Sequence, residues 1–109
     1  MAYDEGLSQR IRELLEGEPC VEEKKMFGGL AFMINGNMSV GVVKSELMVR
    51  VGPDAYESSL AEPHARPMDF TGKPLRGFVY VSARGFESDA GLEKWINQGV
   101  NYALSLPPK

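Results

Sequence analysis

Residues 30–43 read Leu30-Ala31-Phe32-Met33-Ile34-Asn35-Gly36-Asn37-Met38-Ser39-Val40-Gly41-Val42-Val43. Two apolar runs flank Asn35-Gly36, and both of those residues accept the positive φ of a type I′ turn, so the stretch predicts a β-hairpin. Lys44-Ser45 supplies a second tight turn, and Glu46 to Val51 supplies another strand. Upstream, Glu22 to Phe27 reads as an extension of the first strand, with Gly28-Gly29 as a bulge or bend. The centre of the chain is therefore a three-stranded antiparallel meander.

Either side of it the period changes. Leu7, Ile11, Leu14 and Leu15 form one apolar stripe at helical spacing. Asp4 is placed to cap that helix, and Gly17 and Pro19 to stop it. Gly52-Pro53-Asp54 opens a short helix that runs through Leu60, and Pro63 to Pro67 breaks it. Met68-Asp69-Phe70 reads as a short strand and Gly77 to Ser82 as a fifth. Ser88 or Asp89 caps a last helix whose inward stripe is Leu92, Trp95, Ile96, Gly99 and Ala103. The order α-β-β-β-α-β-β-α predicts an α+β two-layer sandwich in one domain, residues 1–109. Its five-stranded, mainly antiparallel sheet carries helices on one face.

Strand alternation divides that sheet. Leu30, Phe32 and Ile34 go with Met38, Val40 and Val42 and with Leu47, Val49 and Val51 toward the helices. The other face then holds Ala31, Met33, Gly41, Val43 and Met48, where a solvated face alternates with polar residues. Six methionines in 109 residues add to this, since the thioether adapts well to contact surfaces. Those five residues are the expected dimer face, the alternative being packing under loops at the edge of the core.

The formal charge is -3, from 12 Lys and Arg against 15 Asp and Glu. Whole-domain nucleic-acid binders are usually basic, so direct nucleic-acid contact is not expected. A lone Cys20 fits a reducing compartment. With no apolar h-region at the start and no run long enough to span a bilayer, the expectation is a cytoplasmic protein without membrane contact. One Cys and one His exclude a multi-ligand Cys/His metal site within the chain, and no metal or cofactor is expected.

No phosphate loop, nucleophile elbow or dinucleotide fingerprint is present. Gly28-Gly29 precedes a strand, whereas phosphate loops feed a helix. Glu22 and Glu23 alternate across a strand and cannot share a site. Cys20 and His64 read as an incidental thiol and a surface histidine. Two features stand out. Lys24-Lys25-Met26-Phe27-Gly28-Gly29 joins a basic pair to an aromatic residue, and reads either as a phosphate- and base-binding stretch or as an edge strand protected by lysines. Arg50 lies mid-strand among Met48, Val49 and Val51, where an arginine pairs with a carboxylate or meets a ligand or partner.

Four blocks of the chain resemble the TfoX/Sxy N-terminal domain family. They are Lys25 to Leu30, then Phe32-Met33 with Asn35-Gly36, then Leu47 to Gly52, then Pro67 to Phe70 followed by Gly77 to Val81. The resemblance runs from Tyr3 to Pro107. It implies an α+β sandwich of the secretion-chaperone-like kind. It also implies a role among bacterial regulators of natural competence, which act alongside the cyclic-AMP receptor protein at promoters. Full-length relatives carry a C-terminal domain without counterpart in these 109 residues, so a standalone N-terminal domain is expected. The family brings no catalytic residues, only a contact surface: Lys25, Met26, Phe27, Gly28, Gly29 and Arg50.

The leading expectation is a non-catalytic protein-interaction module, an accessory transcriptional regulator acting through a protein partner or as a homodimer. The second is a nucleic-acid binder using Lys24, Lys25, Arg50, Lys73 and Arg76. The third is a small-ligand-binding domain or enzyme of unassigned chemistry.

Overall fold

The computed structural model describes residues 3–18, 20–26, 28–69 and 75–108. Helix α1 (Glu5–Leu14) begins behind Asp4, whose carboxylate accepts the Leu7 N–H at 3.1 Å. This is the side-chain cap that an orphan helical N–H requires. Strands β1 (Val21–Met26), β2 (Gly29–Ile34), β3 (Asn37–Val43) and β4 (Glu46–Arg50) follow. After them come α2 (Tyr56–Leu60), β5 (Ala65–Pro67), β6 (Phe78–Val81), α3 (Ala83–Phe86) and α4 (Asp89–Ser105). The strands form one antiparallel sheet in the order β1-β2-β3-β4-β6-β5.

The α+β class and the helix-covered sheet are as the sequence predicts, with six strands in place of five. The added strand is β1. Gly28 takes φ +72° and turns the chain back, so Met26 pairs with Gly29 and the expected bend is a hairpin. A Cβ at Gly29 would overlap the Val42 carbonyl, which only glycine avoids. The fifth strand in sequence lies at Ala65–Pro67, ahead of the Met68-Asp69-Phe70 expected, and Phe70 is outside the described residues. Helix α3 was not anticipated. The Asn35-Gly36 turn forms as read, with φ of 53° and 80°.

The core lies between the helices and one face of the sheet. Leu7, Ile11 and Leu15 beside α1, and Leu92, Trp95, Ile96, Val100 and Ala103 from α4, pack on Leu30, Phe32, Ile34, Val40, Val42, Leu47, Val49, Val79 and Val81. Leu14, expected in the α1 stripe, is 40% exposed, and Ser8 takes the buried position. Helix α4 sits against β3 because Gly99 has no side chain. A Cβ there would come within 2.6 Å of Val40 Cγ1 and 2.8 Å of the Ser39 carbonyl oxygen.

The β2–β3 register slips by one residue between Phe32↔Val40 and Met33↔Met38. Ser39 is the extra residue of this bulge. Ser39 and Val40 both face α4. Met38 therefore leaves β3 on the opposite face, where it packs with Met48, Met68 and Tyr80, and not with Val40 and Val42 as strict alternation placed it.

Candidate interaction surface

Arg50 is the last residue of β4 and pairs with Phe78 of β6. Its guanidinium carbon lies 5.4 Å from the centre of the Phe78 ring and 5.4 Å from that of Tyr102 on α4. Both distances suit an attraction of the cation to the ring quadrupole. The ion pairs among the described residues belong to Arg10, Arg12, Arg66 and Lys94, and none to Arg50. The corner around it is built by two glycines. Gly77, at φ +94°, offers one carbonyl to the N–H groups of both Val51 and Gly52, at 2.8 and 3.0 Å. Gly52, at φ +86°, leaves room for the Tyr102 ring against its Cα. Arg76, next to Gly77, lies 5.7 Å from the Tyr56 ring centre.

The sheet face away from the helices carries its own apolar cluster of Met48, Met68 and Tyr80, with Met38, Val43 and Phe78 half-buried around it. One register row crosses every strand: Lys24, Ala31, Gly41, Met48, Tyr80, Arg66. The expected dimer face was an open one. Instead Ala31 is 2%, Met33 8% and Met48 1% exposed within the single chain, and Gly41 is buried too. Two causes are visible. The Met48 methyl would lie 3.0 Å from a Cβ at Gly41, so it rests on the bare glycine, and Met68 packs wholly buried in the same cluster. Only Val43 of the five keeps partial exposure. At one side of the face Arg66 pairs with Glu46 and stacks 4.6 Å from the Tyr80 ring centre. Burial pushes the Tyr80 phenol above its ordinary range, against the pull of Arg66.

A family model of the TfoX N-terminal domain matches residues 13–103. The chain belongs to the TfoX N-terminal domain family. This family is not a known enzyme family. No curated protein matches the chain.

In this TfoX N-terminal domain the residues carried by the resemblance do not converge. Lys25 is exposed on edge strand β1 and, paired with Leu30, leaves on the helix side. Gly28 forms the exposed turn, Gly29 is buried beneath it, and Met26 closes β1. Phe27 is outside the described residues. Arg50 is three strands away on the other face, a separation of about 14 Å across the sheet alone. The cations of the nucleic-acid reading divide between Lys24 and Lys25 on edge strand β1 and Arg50 and Arg76 at the corner of β4 and β6, and Lys73 is outside the described residues. Cys20 precedes β1 and His64 precedes β5, at opposite edges of the sheet, so they form no dyad.

Sequence reasoning chose Arg50 but missed Phe78 and Tyr102 as its partners. The parity of Phe78 against Val79 and Val81 was the available signal; Tyr102, off the core stripe of α4, gave none. Among the described residues no group of three His, Cys, Asp or Glu is placed to hold a metal ion, and no helix is long and apolar enough to cross a membrane. A half-open cleft of about 260 Å³ lies between α1 and α4, lined by Arg10, Glu13, Leu14, Asp89 and Leu92. The Arg10–Asp89 ion pair at 3.3 Å spans it.

Proposed function

We propose that this TfoX N-terminal domain is a non-catalytic protein-interaction module, an accessory regulator of transcription of the competence type, which binds an acidic group of a protein partner at Arg50. One observation carries the reading: Arg50 is held between two aromatic rings without a carboxylate of its own among the described residues. A guanidinium has five donors and cannot be neutralised by losing its proton. With its position set by Phe78 and Tyr102, its N–H edge is ready to take a carboxylate in two parallel hydrogen bonds. Arginine beside aromatic residues is also the composition of interface hot spots. The half-buried Phe78, Met38 and Val43 extend an apolar margin on the same face.

The test is affinity capture from the source cell's lysate with wild type, Arg50→Ala and Arg50→Lys, scored for transcription factors and polymerase subunits. Arg50→Ala is expected to lower recovery of one such component at least about tenfold. Arg50→Lys should lose most of it too, because an ammonium does not reproduce the planar stacked fork. Recovery of the same component by Arg50→Ala at the wild-type level would overturn the assignment.

A further inference from the structure

Strand β1 forms one edge of the sheet and reads Val21-Glu22-Glu23-Lys24-Lys25-Met26. The other edge, β5, is only three residues long and ends in Pro67. A single hydrogen bond tells which backbone groups of β1 face outward. The Asn35 N–H donates to the Cys20 carbonyl at 3.2 Å, flanking the Val21↔Ile34 pair. That pair is therefore a non-hydrogen-bonded position of the β1–β2 ladder. By alternation Glu23 and Lys25 are such positions too, so the N–H and C=O groups of Val21, Glu23 and Lys25 point away from β2. The side chains of Glu22, Glu23, Lys24 and Lys25 are all exposed.

We propose that two copies of this chain pair through β1, antiparallel about a two-fold axis normal to the sheet, with Glu22 of each copy opposite Lys24 of the other. Such an axis keeps each sheet face on its own side, so only residues of the same face meet across it. Glu22 and Lys24 share a face because their β2 partners, Met33 and Ala31, do. The register centred on Glu23 gives two Glu22–Lys24 pairs there. On the helix side Val21 meets Lys25, and the two Glu23 side chains meet on the axis. Each Glu23 carboxylate is already held by Arg12 through bonds of 2.7 and 2.8 Å, so each copy brings a compensated pair to the axis. The register centred on Lys24 also brings Glu23 opposite Lys25 twice, but that carboxylate is already taken by Arg12. On its axis that register opposes two lysines that have no ion-pair partner among the described residues. Edge charges normally repel a passing strand. Here an acid and a base two positions apart, Glu22 and Lys24, make one face of the strand complementary to its own reverse about Glu23, so charges that deter other strands select a second copy. The inference does not rest on the Arg50 reading, because β2 and β3 separate the two surfaces.

Sedimentation equilibrium over a concentration series tests it. The wild-type mass is expected to rise from 12.0 kDa toward twice that value. Lys24→Glu and Glu22→Lys each place like charges opposite one another twice, and should associate at least about tenfold more weakly. An equimolar mixture of the two variants makes every cross-strand pair opposite again and should recover the dimer. In a Cys20→Ser background, Glu23→Cys should crosslink to itself faster than Lys24→Cys, and Arg50→Ala should dimerise as wild type does. Circular dichroism verifies that each variant is folded. A wild-type mass that stays at 12.0 kDa to the highest soluble concentration overturns the proposal. So does undiminished association of Lys24→Glu, or a mixture that stays monomeric.

Discussion

Gly52→Ala tests the geometry of the Arg50 corner. The residue sits at φ +86°, where an L-side chain costs about 1–2 kcal/mol. The added Cβ would also lie 2.5 Å from Tyr102 Cδ1 and 2.9 Å from its Cζ, so the ring or the backbone must give way. Forcing extra atoms into a packed contact costs about 1–3 kcal/mol. Together these come to roughly 2–5 kcal/mol, a large part of the roughly 5–15 kcal/mol that stabilises a domain of this size. The melting temperature should fall by about 10–20 °C, followed by circular dichroism and checked by urea unfolding. Tyr102→Ala removes the ring but leaves the φ penalty. The double variant should therefore be less destabilised than the two single effects predict together, by about 1–3 kcal/mol. A Gly52→Ala cost below about 1 kcal/mol, or strict additivity in the double variant, would refute the argument that the Tyr102 ring is packed onto the bare glycine.

Two further outcomes follow from single side chains. Ser39 Oγ is buried with no hydrogen-bond partner, so Ser39→Ala should leave stability unchanged or raise it by up to about 1 kcal/mol, read from the urea midpoint. The Arg12 hydrogen bond holds the Glu23 carboxyl below its ordinary range. The folded value thus lies under the unfolded one, and the contribution is present above the unfolded range and lost as pH falls through the folded value. Both side chains are more than one-third exposed, so Glu23→Gln should cost less than about 1 kcal/mol at neutral pH. That difference should vanish in acid; melts at dilute, monomeric concentrations read it.

Local patterns carried most of the fold. The α4 stripe, Asp4 as a cap and Asn35-Gly36 as a turn all act within a few residues, where propensity and periodicity decide the outcome. What misled was how strands pair and what packs on them. Gly28 could bend a strand or reverse it, and the pairing of Met26 with Gly29 is what makes a sixth strand. Strict alternation placed Met38 beside Val40, and the bulge at Ser39 sent it to the other face. The five residues read as an open dimer face are mostly buried, and around Met48 the covering residue is Met68, distant in sequence.

The candidate site divides the same way. The sequence by itself singled out Arg50 as a charge among apolar neighbours, and it spelled the acid-acid-base-base order of β1. Only the tertiary structure supplied Phe78 and Tyr102 as the rings that hold Arg50, and only the strand order made β1 an edge. The physical reason is range. Turns, caps and amphipathic stripes are short-range consequences of side-chain chemistry. A cation's partners and a strand's free edge depend on which distant segments the core brings together.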